Sequence, residues 1–483
     1  MPRHGLALAF VTALAAWPAV AQDMPPLLSA LSPEAAQAAN LDPAGIARLQ
    51  SLAANPAHSG LEVGRTDPQS FRAARGFALV LPAEGGREGG RRVVLENMEV
   101  EATSPTEFVM TTPALGDIMA TIAVSGQDVL GSIRVSGTLY NLRPVGDGIT
   151  AIYHVDTASR QQHPEGFDHG ALSAEARPRP AIAPMPEAES TIRLLVIYTT
   201  AAKQKAETGG RIDLLIKQAL ADANKTVENN RLAVRFELAG AAEVAYREDG
   251  RPWIDLERFR ETADGHMDEI HAARDKLEAD IGILISIDKG DRLCGLASGI
   301  GSDPKSAFAM VNPICLDNFT LIHEIGHLMF AQHNPEAPVM PNPPYAYGHG
   351  KCNMTAGWRT VMSYNTDRKC GTGLPAFSTP KLGVNGVAIG DADKRDNSRV
   401  IGEVAATIAA FRGGEGAATP PAPSEPPAAT VAAPVATPAV SAPSSGPIGL
   451  DDMSNFGVGT DRHGSGQSAG GAASTGQILL DLE

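Results

Sequence analysis

Apolar and polar positions follow three different patterns along the chain. Up to about Arg177, short segments alternate apolar and polar residues between glycine-rich turns, which is typical of β-hairpins. From Thr191 onward, apolar strands alternate with amphipathic helices, so an α/β unit with a mostly parallel sheet is expected. After Arg412 the chain is rich in Ala, Pro, Thr and Ser, and it lacks the apolar residues that a core needs.

The same pattern places individual elements. The alternating segments of the first unit cover residues 91–102, 129–142 and 148–156. In the second unit, strands are predicted at 191–200, 232–246, 279–287 and 307–312. Helices are predicted at 212–230, 253–277, 319–332 and 398–412. The Ala- and Pro-rich segment 171–190 between the units is expected to be an extended linker.

Composition and charge exclude two classes of partner. A chain of 483 residues is too long for one ordinary domain, and its 43% hydrophobic residues are enough for a packed core. The formal net charge of −15 argues against binding to nucleic acid or to an anionic membrane, since both need a basic face. The charge favours solubility.

The first 21 residues have the composition of a secretory signal peptide. Arg3 precedes an apolar run from Leu6, and the small residues 19–21 offer a cleavage site before Gln22. An ordinary N-terminal helix is the alternative. The apolar run is too short and too interrupted to cross a membrane, and no later segment is apolar enough. We therefore expect no membrane span and a secreted protein, either extracellular or periplasmic.

Four cysteines fall within residues 294–370. An even number of cysteines in an exported chain predicts two disulfides, for which three pairings exist. We favour Cys294–Cys315 and Cys352–Cys370, because each pair closes a local loop. A cysteine-based metal site is the alternative, and the lack of a Cys-x-x-Cys pair argues against it.

Residues that can carry chemistry are concentrated in the segment LIHEIGHLMFAQHN, residues 321–334. His323 and His327 are four residues apart, so a helix places both imidazoles on one face, within reach of one metal ion. Glu324 points off that axis, where it can bind a water that a zinc ion polarises and then take its proton. His333 follows six residues after the second histidine and is a third candidate ligand.

This segment resembles the signature of the metzincin metallopeptidases, H-E-x-x-H-x-x-G-x-x-H followed by a Met-turn. The closest likeness is to the reprolysin-like and peptidyl-Asp metalloendopeptidase group, and it covers roughly residues 191–412. The resemblance implies a zincin-like catalytic domain with one catalytic Zn²⁺ ion bound by the three histidines and Glu324 as general base. Met362, in RTVMSYNT, would be the Met-turn residue beneath the zinc ligands.

The resemblance also implies how a substrate binds. Further matching pieces are CGLASG (294–299), GWRTVMSYN (357–365) and FSTPKLGVNGVAIG (377–390). The strand AFAMVN (307–312) would be the antiparallel edge strand on which an extended protein or peptide substrate lies. An acidic residue would stand at the cleaved bond, although no basic specificity residue can be placed from the sequence.

Two more residues are candidates for the site. Tyr364 stands two residues after Met362, the offset at which astacins and serralysins carry a tyrosine, where it can contact the zinc as a fifth ligand or stabilise the oxyanion. An ordinary packed tyrosine is the alternative. His349, in YGHGKC, is another candidate ligand, and a structural loop histidine is its alternative.

Phe330 is where the chain departs from the family signature. On an unbroken helix His333 would face about 240° away from His327, so the helix must end soon after the latter. The family has glycine at the position of Phe330 because glycine adopts a left-handed turn easily, and another residue costs on the order of 1 kcal/mol there. Either Phe330 adopts this turn or the turn shifts to residues 331–332. Glu336 is the rival third ligand, and we favour His333.

The expected function is that of a secreted zinc-dependent endopeptidase that hydrolyses peptide bonds by a metal-activated water. An inactive metzincin-like binding or adhesion module and another zinc hydrolase are the alternatives, and the presence of the complete histidine and glutamate set favours the enzyme. The expected divisions are a signal peptide (1–21), a β-rich propeptide-like domain with linker (22–188), the catalytic domain (189–413), a Pro/Ala-rich linker (414–448) and a Gly/Ser-rich tail (449–483).

The β-rich segment is interpreted as a propeptide that keeps a secreted protease inactive, with Arg177 and Arg179 as candidate processing sites. No cysteine precedes Cys294, so a propeptide thiol cannot block the zinc, and an aspartate or steric cover would have to do so. An independent β domain that stays attached is the alternative.

Overall fold

A computed structural model describes residues 24–31, 41–82, 91–156, 189–206, 208–209, 211–290, 293–337, 343–364, 370–412 and the backbone of 479–481. The chain divides into two compact units, Met1–Asp156 and Thr157–Glu483. The predicted signal peptide, the inter-unit linker, the C-terminal linker and most of the tail lie outside the described residues. No helix in the described ranges is long and apolar enough to cross a membrane.

The first unit is β-rich, and it also has two helices that the sequence pattern missed, α1 (Pro43–Ala54) and α2 (Pro68–Ala74). Each helix begins with proline after an aspartate cap, which is a recognisable start signal. The strands are β1 (Ser29–Ala30), β2 (His58–Arg65), β3 (Phe77–Val80), β4 (Arg92–Leu95), β5 (Glu99–Ala102), β6 (Glu107–Thr111), β7 (Ile118–Ser125), β8 (Asp128–Val135), β9 (Thr138–Gly146) and β10 (Ile149–Val155).

Eight of these strands form one antiparallel sheet in the order β1-β2-β10-β9-β8-β7-β6-β5, and β3 pairs with β4. The predicted hairpin segments coincide with β4–β5, β8–β9 and β10. One core cluster includes Phe71, Phe77 and Ile133, and a second one includes Leu52 and Tyr153. The predicted β-rich N-terminal unit is thus present.

The second unit combines helices with a mixed sheet. Its helices are α3 (Thr200–Lys205), α4 (Ile212–Asn229), α5 (Pro252–Arg260), α6 (Glu269–Lys276), a 3₁₀ helix (Pro313–Asn318), α7 (Thr320–Leu328) and α8 (Asn397–Ala409). Its strands are β11 (Ser190–Thr199), β12 (Val234–Val244), β13 (Ile281–Ile285), β14 (Gly295–Ala297), β15 (Phe308–Val311), β16 (Cys352–Asn353), β17 (Trp358–Arg359), β18 (Thr372–Gly373), β19 (Gly383–Val384), β20 (Val387–Ala388) and β21 (Leu479–Asp481).

The main sheet of this unit has the order β14-β15-β13-β11-β12-β21. The pairs β11–β12, β11–β13 and β13–β15 are parallel, whereas β14–β15 and β12–β21 are antiparallel. The apolar run 279–287 is buried because β13 lies between two neighbours and its five residues are all covered. Leu256, Phe259 and Ile270, from α5 and α6, pack in the same core cluster as sheet residues such as Leu284.

The expectation that AFAMVN is the edge strand is wrong. Its strand, β15, lies between β13 and β14, and all four of its residues are buried. The sheet edge on this side is β14, formed by CGLASG. The sequence misled because β14 has three residues, too few for an alternating pattern to be visible.

The single helix predicted at 253–277 is also wrong, since the structure has α5 and α6 with a loop between them. Gly265 has a left-handed φ of 83°, which a glycine adopts without steric cost. The carboxylate of Asp268 accepts hydrogen bonds from the backbone amides of Asp264 (3.3 Å) and Gly265 (3.0 Å). These local bonds compete with the helical ladder and end α5 early.

All four cysteines are paired, as Cys294–Cys315 and Cys352–Cys370. The favoured pairing is therefore confirmed. The first disulfide joins the start of β14 to the 3₁₀ helix that precedes α7, and the second ties β16 to the segment before β18. Both bridges stand next to elements that hold the histidines described below.

Candidate metal centre

The helix α7 carries the first two histidines, and all nine of its residues are buried. It packs against β14, β15 and α4. A helix that is apolar on several sides is stable only when it is enclosed in this way, which explains the apolar residues around the HEIGH motif. His323 is 7% exposed and His327 is fully buried, so both rings lie in an environment of restricted water access.

The helix ends at Leu328 and not at Gln332, because Phe330 takes the left-handed conformation with a φ of 68°. The amide of Phe330 donates to the carbonyl oxygen of His327 (2.9 Å), and the amide of Ala331 donates to that of Gly326 (2.9 Å). This pair of bonds is the Schellman motif, which normally has glycine at the position of Phe330. The left-handed turn is thus made by Phe330 itself and is not shifted to residues 331–332.

Phe330 is held in this turn by its buried ring. The ring is packed against Tyr345 with centroids 5.7 Å apart, and Phe330 is 2% exposed. It also covers Gly301, where an added Cβ would collide with the phenyl carbons. The amide of Gly301 donates to the carbonyl oxygen of His327 (2.7 Å), and the hydroxyl of Ser302 donates to that of Leu328 (2.9 Å). The loop after β14 therefore caps the helix.

Replacing Phe330 by glycine is expected to destabilise the protein despite relieving the turn. Glycine removes about 1 kcal/mol of backbone strain, whereas loss of a buried phenylalanine side chain costs about 3–5 kcal/mol. The net loss in the free energy of unfolding, about 2–4 kcal/mol by this difference, can be measured by urea denaturation.

A double-mutant cycle provides the control. Gly301→Ala alone should be severely destabilising because its methyl group overlaps the Phe330 ring. In the Phe330→Gly background the ring is absent, so Gly301→Ala should destabilise the protein less. The remaining loss of stability should come only from the left-handed φ of 88° at residue 301, which alanine adopts poorly. Equal costs in both backgrounds would contradict the proposed packing.

The turn at Phe330 brings the third histidine back to the first two. The Nε2 atoms of His323, His327 and His333 lie 2.9–3.2 Å from one another. Within the described ranges, this is the group in which three candidate ligand side chains converge, and all three are buried. Tetrahedral zinc with Zn–N bonds of about 2.0–2.1 Å needs nitrogens roughly 3.3 Å apart, close to these spacings.

Backbone carbonyls set the protonation of two of these rings. Nδ1 of His323 lies 2.8 Å from the carbonyl oxygen of Val361, and Nδ1 of His327 lies 3.0 Å from that of Ala331. Since a carbonyl oxygen can only accept, each Nδ1 carries the proton and each Nε2 presents a lone pair. Lone pairs that face each other at 3.1 Å repel, and a cation between them turns this repulsion into coordination.

His349 and Glu336, the other candidate ligands, do not join the group. Nδ1 of His349 donates to the carbonyl oxygen of His333 (2.9 Å), so this buried histidine supports the backbone of the third member. Glu336 pairs with Arg395 (2.9 Å) and accepts a hydrogen bond from the side-chain amide Nδ2 of Asn334 (3.0 Å). The sequence gave no sign that His349 supports the backbone of His333, because these residues are 16 positions apart in the chain.

Glu324 lies between α7 and the edge strand β14. Its carboxyl group lies against Gly295, where an added Cβ would be 2.5 Å from Oε1. Burial raises the pKa of Glu324 well above its usual value, and a hydrogen bond from the backbone of Ala297 opposes this shift. Glycine at 295 is thus required for the carboxylate to reach this position, a relation that the sequence did not reveal.

Met362 lies directly under α7. Its sulfur would be 2.5 Å from a Cβ added at Gly326, and the side chain is fully buried. Gly326 lies between the two helical histidines, so the methionine contacts the helix where the metal-facing side chains originate. Glycine at position 326 of the HEIGH motif is therefore needed for the Met362 side chain to approach the helix this closely.

Tyr364 packs against the third histidine. The ring centroids of Tyr364 and His333 are 3.7 Å apart, and the amide of Tyr364 donates to the side chain of Asn334 (2.9 Å). Burial raises the pKa of Tyr364 well above its usual value, and the charge of Glu324 raises it further. The segment after Met362 and the segment after His333 are therefore tied together through Asn334, which the sequence analysis did not single out.

Three converging imidazoles, a buried carboxylate beside the outermost strand β14 and a tyrosine against the third imidazole define a zinc-dependent peptide hydrolase. The histidine group fits one catalytic zinc ion.

Comparison with known proteins agrees with this class. The model of metallopeptidase family M12, of reprolysin type, matches residues 188–378. A peptidyl-Asp metalloendopeptidase of Stenotrophomonas maltophilia (strain K279a) is 38% identical over 303 residues, which cover 60% of this chain and 69% of the relative.

Two further peptidyl-Asp metalloendopeptidases match. The one from Xanthomonas campestris pv. campestris is 34% identical over 403 residues, covering 79% of this chain and 92% of its own. The one from Pseudomonas fragi is 32% identical over 192 residues, covering 40% of this chain and all of its own. The chain belongs to metallopeptidase family M12, and it is a zinc endopeptidase.

Proposed function

We propose that the chain is a secreted endopeptidase in which His323, His327 and His333 bind the catalytic zinc ion and Glu324 is the general base. The observation that carries this assignment is the triangle of Nε2 atoms, 2.9–3.2 Å apart, beside a buried carboxylate. A bound zinc ion supplies Lewis acidity, which polarises a peptide carbonyl and lowers the pKa of water.

Glu324 moves the proton in this proposal. The neighbouring histidines would hold a divalent ion, whose charge would favour the ionised carboxylate and so oppose the effect of burial on its pKa. The carboxylate accepts a proton from the attacking water and returns it to the leaving amine. The contact with Gly295 places the carboxylate between helix and strand.

Tyr364 and Met362 have supporting roles in the proposal. The phenol of Tyr364 keeps its proton at neutral pH, so it can donate a hydrogen bond to the developing oxyanion. Its tilted contact with the ring of His333 places the phenol ring at the site. Met362 is the Met-turn residue and packs under α7 at Gly326.

The edge strand β14 is the proposed binding surface for an extended substrate. The carbonyl oxygen of Cys294 accepts from Asn312 (2.7 Å), and the amide of Ser298 donates to Phe308 (3.0 Å). Since backbone groups alternate sides along a strand, those of Gly295 and Ala297 face away from β15. A substrate strand that pairs with this edge runs past Glu324.

The relatives' name suggests the substrate preference. Three relatives are called peptidyl-Asp metalloendopeptidases, so we propose that this chain also cleaves next to aspartate.

The remaining divisions of the chain complete the proposal. Residues 1–21 direct export, and the β-rich domain with its linker (22–188) acts as a propeptide that is removed from the catalytic domain (189–413). The compact unit Met1–Asp156 and the disulfides, which persist in oxidising compartments, support this view. Residues 414–448 are a linker and 449–483 a tail.

Protein recovered from outside the producing cells tests the proposal. We expect one zinc ion per chain and cleavage of a denatured protein substrate. Excess 1,10-phenanthroline should abolish cleavage, and added zinc should restore it, because the three histidines supply the only proposed metal ligands. Mass spectrometry should find a chain that has lost the β-rich domain.

Each part of this result can fail separately. Cleavage that persists after zinc has been removed would exclude the zinc mechanism. An active chain that still contains residues 22–188 would exclude the propeptide. Zinc binding without cleavage of any substrate would exclude the endopeptidase.

A further inference from the structure

We propose that residues 241–243 of β12 are a docking site for the segment ILLDL (478–482) of the same chain. By occupying this site, the segment closes one side of the main sheet and leaves β14, on the other side, as the edge to which an extended peptide adds. This inference goes beyond the proposed function and does not depend on it. It assigns a role to a part of the tail that the proposed function leaves without one.

The segment differs in composition from the tail that precedes it. Residues 461–477 contain no Val, Ile, Leu, Met, Phe, Tyr or Trp, whereas the segment is Ile and Leu apart from one aspartate. Its apolar residues Ile478, Leu480 and Leu482 recur at every second position, which gives a strand one apolar face. This pattern suits a strand that lies at the side of a sheet with one face covered.

The strand β12 turns backbone hydrogen-bonding groups to its outer side at the docking site. The amide of Ser190, the first residue of β11, donates to the carbonyl oxygen of Ala233 (2.9 Å), so every second residue of β11 from Ser190 onward faces β12. In a parallel pair, the partner opposite such a residue turns its own amide and carbonyl away. These partners include Ala241 and Glu243, whose backbone groups therefore face the segment.

The first half of the same side of β12 is closed by a side chain. Phe236 is another of the partners that face outward. Its amide donates to Oδ1 of Asn224 (2.8 Å), and its carbonyl oxygen accepts from Nδ2 of the same residue (3.0 Å). The carboxamide of this α4 residue thus takes the place of a neighbouring strand. The register skips Ala239, and this bulge separates the half closed by Asn224 from the docking site.

The register of the antiparallel pair fits the chemistry of both strands. Leu480 stands opposite Ala242, a buried member of the core cluster, so the apolar positions of the segment fall on the core face of the sheet. Asp481 and Glu243 do not stand opposite each other, whereas a shift of two residues would pair these like charges. The carboxylate of Glu243 pairs instead with Lys203 (3.0 Å).

The connection between the segment and α8 permits docking within one molecule. The amide of Arg412, just after α8, donates to the carboxylate of Asp280 (3.2 Å), so the chain leaves the unit next to the start of β13. The 66 residues between Arg412 and Leu479 (479 − 412 − 1) reach at most about 220 Å, which is ample for the far side of the sheet. Because the segment is tethered, its docking does not depend on protein concentration.

Hydrogen exchange of single amides tests the proposal on the whole chain, with intact mass confirming that residues 479–481 are present. In the wild type, the amides of Ala241 and Glu243 should be protected. Asp481→Pro removes a backbone donor from the segment, so exchange at both amides should become about ten-fold faster or more, because local opening controls these rates. Deletion of residues 478–483 should have the same effect.

Two controls show whether a change is confined to the docking site. Ala473→Pro places a proline in the same tail outside the segment, and it should leave exchange at Ala241 and Glu243 unchanged. The amide of Phe236 is an internal control in every variant, because its partner is Asn224 and not the segment. Its rate should stay the same.

Two results would overturn the proposal. Equal exchange at Ala241 and Glu243 in the wild type, in Asp481→Pro and in the deletion variant would show that the segment does not dock there. Protection that decreases when the wild-type protein is diluted would show that the segment comes from a second copy of the chain. Peptide hydrolysis is measured separately, so a failure of the proposed function would not be mistaken for either result.

Discussion

Glu324→Gln should retain zinc and lose peptide hydrolysis. We expect kcat to fall by about 10²–10⁴-fold, the usual contribution of a positioned proton acceptor. Glutamine has nearly the same shape, so it can still fit against Gly295. It cannot take a proton from water. Zinc content by mass spectrometry and steady-state kinetics on one peptide measure the two effects.

Glu336→Gln is the matched control for this substitution. Glu336 lies close to the third histidine in sequence, but its carboxylate pairs with Arg395. Its loss should leave kcat within a few-fold of wild type. If Glu324→Gln kept full activity, or if Glu336→Gln abolished it, the assignment of the general base would be wrong.

His333→Ala is expected to lose both zinc and activity. Removing a partner that merely orients a ligand typically costs 10–100-fold in metal affinity, so removing a ligand should cost more than about 100-fold. Because metal binding is linked to folding, the melting temperature measured with zinc should also fall. Competition with a chromogenic chelator and a thermal melt measure these changes.

His266→Ala is the control, because this histidine lies in the loop between α5 and α6 and packs near Tyr246. It should bind zinc as wild type does. A His333→Ala variant that kept its zinc affinity would show that another residue completes the site, and Glu336 would again be the first candidate.

Local sequence patterns were sufficient for much of the fold. Buried strands such as β11 and β13 and the long helix α4 were predicted within a few residues, because their apolar periodicity extends over many positions. The two disulfides followed from short loop closure in the chain. Failures occurred where signals were short or competing, as in the three-residue strand β14 and the break around Gly265.

In the candidate site, too, the sequence determined some features and left others to the tertiary structure. The four-residue spacing of His323 and His327 requires only a helix to bring two imidazoles to one face, so the sequence alone determined this pair. The sequence also required the helix to end before His333, since an unbroken helix would turn that ring away.

Only the tertiary structure decided how the helix ends and what surrounds the site. Phe330 can adopt a left-handed turn because its ring is buried against Tyr345 and over Gly301, whose own amide caps the helix. The carboxylate of Glu324 reaches its place because Gly295 has no side chain, 29 positions earlier in the sequence (324 − 295). Such contacts join residues that are distant in the chain, and their energies depend on packing in three dimensions, which no local pattern of apolar and polar residues contains.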